Sequence, residues 1–263
     1  MSRIRLAQAT GISTTTITNL AYELLDGGII VESGVDAQAA TPGAGRPPVA
    51  LRLARDSRYA IGVHIGVRWA RVGLLDLQGN LLVLRTIAHA DLPNPAGQEG
   101  YPYAMLDRIA QTIIEIVSEE TSNATSMQIV GVGVGASGLV ESREGVNILA
   151  PQLGWINVPL RLALQERLAK RAAGVVDPVR ARTLARVAVE NNVRCMALAE
   201  SLYGVCRNAR ALAFVYARMG VGAGLVVDRE LYRGAGYGAG EIGHWTMVSN
   251  GGELCGCGNR GCL

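Results

Sequence analysis

The chain has 263 residues, 49% of them hydrophobic and 5% aromatic, with 33 glycines and a formal net charge of +3. This length and apolar content accommodate one large or two medium domains, and the glycine-rich, aromatic-poor balance favours an α/β protein over a helical bundle. No apolar run reaches about 18 residues, no signal-like segment leads the chain, and five cysteines do not make a disulfide scaffold. These features argue against a membrane span and a secreted scaffold, and the cytoplasm is the expected compartment. Of the 25 basic residues all but Lys170 are arginine, and a charge of +3 neither requires nor excludes nucleic acid.

Ser2 to Ala9 reads as a helix broken at Thr10-Gly11. Ser13 is placed to cap a second helix carrying Ile17, Leu20, Leu24 and Leu25 at helical spacing. Two helices joined at a glycine turn fit a helix-turn-helix. The polar side chains near the start of the second, Thr14, Thr15, Thr16, Thr18 and Asn19, would then face the major groove. Ile29 to Glu32 and Val49 to Leu53 read as two strands of a wing. Arg46, in a Gly/Pro-rich stretch between them, suits insertion into a narrow minor groove. A solvated linker explains the same stretch. Residues 13–26 lack Arg and Lys, and residues 1–58 carry six basic and five acidic side chains, which is weak electrostatics for DNA. The usual first helix of a winged helix-turn-helix is absent, which fits a misassigned start, shortened material or an incomplete domain; an incomplete domain would expose apolar residues such as Leu6 and Ile17.

Strand-like runs follow at 60–66, 70–76 and from Leu81, with Gly79-Asn80 as a hairpin turn. Tyr103 to Thr121 reads as an amphipathic helix and Ile129 to Gly135 as a strand. Pro159 to Ala172 reads as a helix, and a strand near Ala185 to Val189 meets Glu190-Asn191-Asn192. Val193 to Tyr203 is predicted to be a helix packing through Met196, Leu198, Ala199 and Leu202. Ala211 to Arg218 is a predicted strand, Gly220 to Gly224 a glycine turn, and Leu225 to Val227 a strand. The repeated hairpin-plus-glycine pattern fits two related lobes flanking a cleft, although a plain tight hairpin also explains each turn. Residues 161–186 carry seven basic and two acidic side chains. A solvated helix face accounts for them, with a cleft edge or dimer surface as the other reading. Cys195 and Cys206 read as core residues.

His244, Cys255, Cys257 and Cys262 bring four soft ligands into nineteen positions, spaced His-x10-Cys-x-Cys-x4-Cys. Zinc takes about four Cys or His ligands tetrahedrally, and a tight turn can supply two. The spacing is not that of a finger or ribbon.

From Gly131 onward these landmarks resemble the ROK family of repressors, open reading frames and sugar kinases. They are the glycine-rich strand end at 131–138, Ala150-Pro151-Gln152-Leu153-Gly154-Trp155, Glu190-Asn191-Asn192, Gly220 to Gly224, Gly240-Glu241-Ile242-Gly243-His244, and the cysteine cluster. With the N-terminal helix pair, the resemblance covers essentially the whole chain and is closest to the transcriptional type, similar to xylose and N-acetylglucosamine repressors. It implies a winged helix-turn-helix over 1–57, its first helix absent, and an actin-like, ribonuclease H-like sugar kinase fold over 58–263. The second lobe would be incomplete and the fold truncated at both ends. It also implies a structural zinc on His244, Cys255, Cys257 and Cys262, and a sugar site including Gln152, Asn191, Asn192, Glu241 and His244. Without it, Glu241 would read as a surface carboxylate.

The chain departs from a kinase at two places. The family's catalytic aspartate falls on Asn192, which cannot act as a base, and the Asp and Thr of its phosphate turn fall on His64 and Arg68. No useful kinase activity is expected. The leading expectation is a dimeric or tetrameric repressor binding an operator in double-stranded DNA and controlled by a sugar or sugar derivative. The alternatives are a sugar kinase with unconventional catalytic residues and a non-enzymatic, zinc-stabilised assembly module.

Overall fold

The Ser13 side chain accepts the Thr16 amide at 3.2 Å and so starts the second helix of the computed structural model, which describes residues 1–39, 47–92, 100–123 and 127–263. Helix α1 (Arg3–Thr10) precedes it and helix α2 (Thr14–Asp26) follows it. Strands β1 (Ile30–Val35) and β2 (Val49–Leu53) pair antiparallel. Arg46 lies outside the described residues. The expected exposure of Leu6 and Ile17 does not hold: Ile17 is buried with Ala21, and Leu6 is half-buried. Positions 17 and 21 stand one turn apart on α2, which packs against α1 and β1. Leu20 and Leu24, on the same side of the helix as Ile17, are exposed, as is Tyr22 on the far side.

Residues 54–58 are tied to both sides. Ala54 N donates to Ile29 O at 2.9 Å, Arg58 donates to Gly27 O at 3.1 Å, and Arg55 Nε donates to buried Asp76 at 2.9 Å.

Strands β3 (Tyr59–Ile65), β4 (Trp69–Asp76) and β5 (Leu81–Ala88) form an antiparallel meander. Helix α3 (Tyr101–Asn123) follows, and Met105, Leu106, Ile109, Ile113, Ile116 and Val117 recur along its buried stripe. Strand β6 (Ile129–Ala136) runs parallel to β3. The short strands β7 (Leu139–Glu141), β8 (Val146–Ala150) and β9 (Trp155–Val158) make a separate antiparallel sheet that the sequence pattern did not announce. Helices α4 (Leu160–Ala172) and α5 (Pro178–Leu184) then lead to β10 (Val187–Asn191), parallel to β6. The main sheet has the order β10-β6-β3-β4-β5. One core unites α3, α4, Trp155 and the inward positions of the sheet.

The basic stretch 161–186 is more than a solvated face. Arg161 donates to the carbonyls of Arg143 and Ser142, and Arg180 to that of Met127. Asp177 caps α5 through the amides of Val179 and Arg180. Among the described residues no helix is long and apolar enough to cross a membrane.

Helix α6 (Asn192–Tyr203) packs on an antiparallel sheet of β11 (Ala211–Ala217), β12 (Val221–Val227) and β13 (Glu230–Tyr232). Two expectations fail here for one reason. The buried face of α6 is Val193, Arg194, Ala197 and Ser201, while Ala199 and Leu202 are exposed. Gly222 and Gly224 lie inside β12 and not in a turn. A Cβ on Gly224 would stand 2.4 Å from that of Ala197, so the helix approaches the strand through small residues. Counting large apolar residues picks the wrong face. Cys195 and Cys206 are both half-buried.

Candidate functional site

The parallel strands β6 and β10 and their neighbour β3 end on one side of a cavity of about 560 Å³, the position where open α/β sheets hold ligands. The other wall is β12 with the segment Gly240–His244. All five residues singled out for a ligand, Gln152, Asn191, Asn192, Glu241 and His244, line this cavity.

Their side chains are not equally available. Asn191 caps α6, its Oδ1 accepting from Val193 N at 2.9 Å and Arg194 N at 3.1 Å, while its Nδ2 donates to Gly138 O at 2.8 Å. An amide nitrogen offers two protons, so one remains for a ligand. Asn192 Nδ2 donates to Ser137 Oγ at 3.1 Å and lies 3.4 Å from His64 Nε2. The two departures from a kinase thus meet in space. Burial, with the charge of Arg71 second, holds His64 below its ordinary range. Gln152 reaches across to Met219 O at 2.8 Å. Glu241 carries no side-chain hydrogen bond to another described residue, and burial pushes its carboxyl up despite Arg194 and His244. Its oxygens are therefore free to accept from a ligand.

Gly240 fixes where Glu241 stands. It adopts φ 91°, and its carbonyl accepts from Ala223 N at 2.7 Å. A Cβ there would fall 1.9 Å from Ala223 O, so the loop docks on β12 only with glycine.

The four candidate metal ligands converge beside this loop, with all ligand atoms within 4.8 Å of one another. Cys255 Sγ is 3.6 Å from His244 Nδ1, and Cys257 Sγ is 3.8 Å from Cys262 Sγ. A tetrahedral centre with Zn–S of about 2.3 Å and Zn–N of about 2.0–2.1 Å requires roughly 3.8 Å between sulfurs and roughly 3.6 Å from sulfur to nitrogen. The donor set therefore fits zinc in chemistry, and two of its separations already match a tetrahedral centre. Hydrogen bonds from the Cys257 backbone and side chain bring the Cys255 thiol down to about 7. Desolvation, then the neighbouring sulfurs, pushes Cys262 up to about 11. Three thiolates this close repel one another, and a bound cation removes that conflict. From His244 to Leu263 only Gly252 and Gly261 are buried, so the segment has almost no apolar core of its own.

At the other end of the chain Thr14, Thr15 and Asn19 are exposed, with no side-chain hydrogen bond to another described residue. Thr16 is exposed as well, but its hydroxyl lies 2.8 Å from Ser13 Oγ in the helix cap. Thr18 is half-buried and donates to Thr14 O. The surface available to a groove is thus smaller than the five residues named from sequence. Sequence reasoning also missed the buried pair Glu190 and Arg194, whose side chains meet at 3.2 Å behind the cavity. Glu190 lies on β10 and Arg194 on α6, so no helical spacing in the sequence announced the pair.

The profile of the ROK family matches residues 60–263. Over 265 residues the chain is 29% identical to a putative xylose repressor of Caldicellulosiruptor sp. (strain Rt8B.4), covering 100% of this chain and 59% of that protein. It is also 29% identical over 263 residues to the DNA-binding transcriptional dual regulator NagC of Escherichia coli K12, covering 100% and 57%. A solved ROK family transcriptional regulator, a homologue of the E. coli MLC protein, superposes with TM-score 0.69 at 26% identity, covering 100% of this chain and 59% of its own. A ROK glucokinase from Streptomyces griseus, solved with glucose and AMPPNP, gives TM-score 0.57 at 27% identity, covering 78% and 55%. The chain spans less than three-fifths of the length of these proteins.

Proposed function

The chain belongs to the ROK family, and from that premise we propose that it is a DNA-binding transcriptional regulator of carbohydrate-related genes, a repressor answering to a sugar or sugar derivative. One observation carries the reading. The relatives named as regulators align along 100% of the chain, helix pair included, whereas the glucokinase aligns with 78%.

In this reading residues 1–57 are a winged helix-turn-helix, with β1 and β2 as the wing. Thr14, Thr15 and Asn19 contact the major groove, Thr16 and Thr18 support that surface, and Arg46 enters the minor groove. A homodimer or homotetramer supplies the second half-site and offsets the weak charge of one head. The sugar lies in the cavity, where Glu241, Asn191, Asn192, Gln152 and His244 pair with vicinal hydroxyls. Binding draws the two walls together and shifts the spacing of the DNA-reading heads. His244, Cys255, Cys257 and Cys262 hold a structural zinc, which braces the glycine-rich floor of the pocket.

The protein works without phosphoryl transfer. Asn192 offers an amide where a base would have to accept a hydroxyl proton, and its neighbour is a neutral imidazole rather than a carboxylate able to organise magnesium.

Selection of genomic fragments by the purified protein, with and without a panel of sugars, tests the regulator reading. Specific fragments that are released by one sugar support it, and Thr15→Ala with Arg46→Ala should abolish retention. Retention unchanged in that double variant removes the assigned surface. ATP turnover across the same sugars would remove the non-enzymatic reading.

A further inference from the structure

Behind the cavity, charged side chains are buried together. Arg194 is 1% exposed and Glu190 is 9% exposed. Glu190 Oε1 accepts from Arg194 Nη1 at 3.2 Å and from the Asn191 amide at 2.8 Å, and its Oε2 accepts from Arg233 Nε at 2.7 Å. Arg194 Nη2 donates to the carbonyls of Tyr237 and Ala239. Stability alone is a poor account of such a cluster, because well-packed apolar residues often replace buried ion pairs without loss.

The connections of the cluster point elsewhere. Arg194 lies in the first turn of α6, which Asn191 caps and Asn192 opens. Ala239 lies two residues before Glu241, and Gly240 between them is docked on β12. One planar guanidinium therefore joins the helix start that carries the two asparagines to the loop that carries the carboxylate. Only arginine reaches three acceptors in a fixed fork; a lysine ammonium at the end of a flexible stem does not hold that geometry.

We propose that Arg194 is a positioning residue for ligand recognition, holding Glu241 in register with Asn191 and Asn192 so that two separate chain segments present one hydroxyl-reading surface. Glu190 and Arg233 orient it. This rests on the reading of the cavity as a sugar site, and it assigns the specificity of that site to a residue that touches no sugar.

Arg194→Met keeps the unbranched apolar stem without the guanidinium and leaves Glu190 paired with Arg233, so the carboxylate is not left without a partner. Hydrogen exchange on the whole chain without sugar should show amides of 237–243 exchanging at least tenfold faster, with α3 unchanged and Arg194→Lys intermediate. Calorimetry with D-xylose, D-glucose and N-acetylglucosamine supplies the second readout. Arg194→Met should weaken the bound sugar at least tenfold, and no more than twofold when Glu241→Gln is already present. Unchanged exchange at 237–243 overturns the proposal, as does faster exchange spread through α3. So does a full loss of affinity that persists in the Glu241→Gln background. If the unsubstituted chain binds none of the sugars, the sugar reading fails, and the exchange data still decide the positioning role.

Discussion

Replacing Gly240 by alanine should loosen the ligand loop by an amount the geometry sets. The new Cβ would lie 1.9 Å from Ala223 O and 2.8 Å from Ala223 C, both backbone atoms of a paired strand, so the loop must yield. Yielding breaks the 2.7 Å bond from Ala223 N to Gly240 O, worth about 0.5–1.5 kcal/mol. The left-handed backbone adds roughly 1–2 kcal/mol for a residue with a Cβ. The sum is about 1.5–3.5 kcal/mol, which for a domain of this size lowers the melting temperature by roughly 3–14 °C. Gly236 in the same loop is the control, since its Cβ would meet nothing within 4 Å and its φ is not left-handed. Gly236→Ala should melt like the parent or slightly above it. Thermal unfolding followed by circular dichroism decides the matter. If Gly240→Ala melts within a degree of the parent, or Gly236→Ala falls equally far, docking on β12 does not position this loop.

Three further outcomes follow from the described geometry. Cys257→Ser should reduce bound zinc from a single ion per chain to a small fraction, and elemental analysis after gel filtration would count against the tetrahedral site if the metal stayed. Burial raises the Asp76 carboxyl, but hydrogen bonds from Asn80, Arg55 and Gln78 outweigh it and hold the group below its ordinary value. Its contribution is therefore present above the unfolded value of about pH 3.9 and lost as pH falls through the lower native value. Asp76→Asn should destabilise the protein at pH 7, and the gap should narrow in melts below about pH 4; a constant gap contradicts the assignment. Asn192→Asp places a carboxylate beside His64 Nε2 and should raise the titration of that imidazole, which burial now holds low. A proton-resonance titration that does not move would mean the two side chains are not in contact.

Periodicity and caps are local properties, so the sequence alone determined most of the elements. Ser13, the alternation of β3, the stripe of α3 and the strand β2 all stand where their residues put them. Ligand spacing likewise singled out His244, Cys255, Cys257 and Cys262, because a tight glycine-rich turn can bring few other arrangements together. What the sequence left undecided depends on contacts between distant segments. The three strands β7 to β9 are too short to show a period. The buried face of α6 was misread because Gly224 selects Ala197, and because a buried arginine is invisible to a count of apolar residues. Only the tertiary structure showed that the side-chain hydrogen-bonding capacity of Asn191 is largely used by α6 and Gly138, whereas Glu241 is open. Availability to a ligand is a balance of hydrogen bonds across the whole fold, and no single stretch of sequence carries that balance.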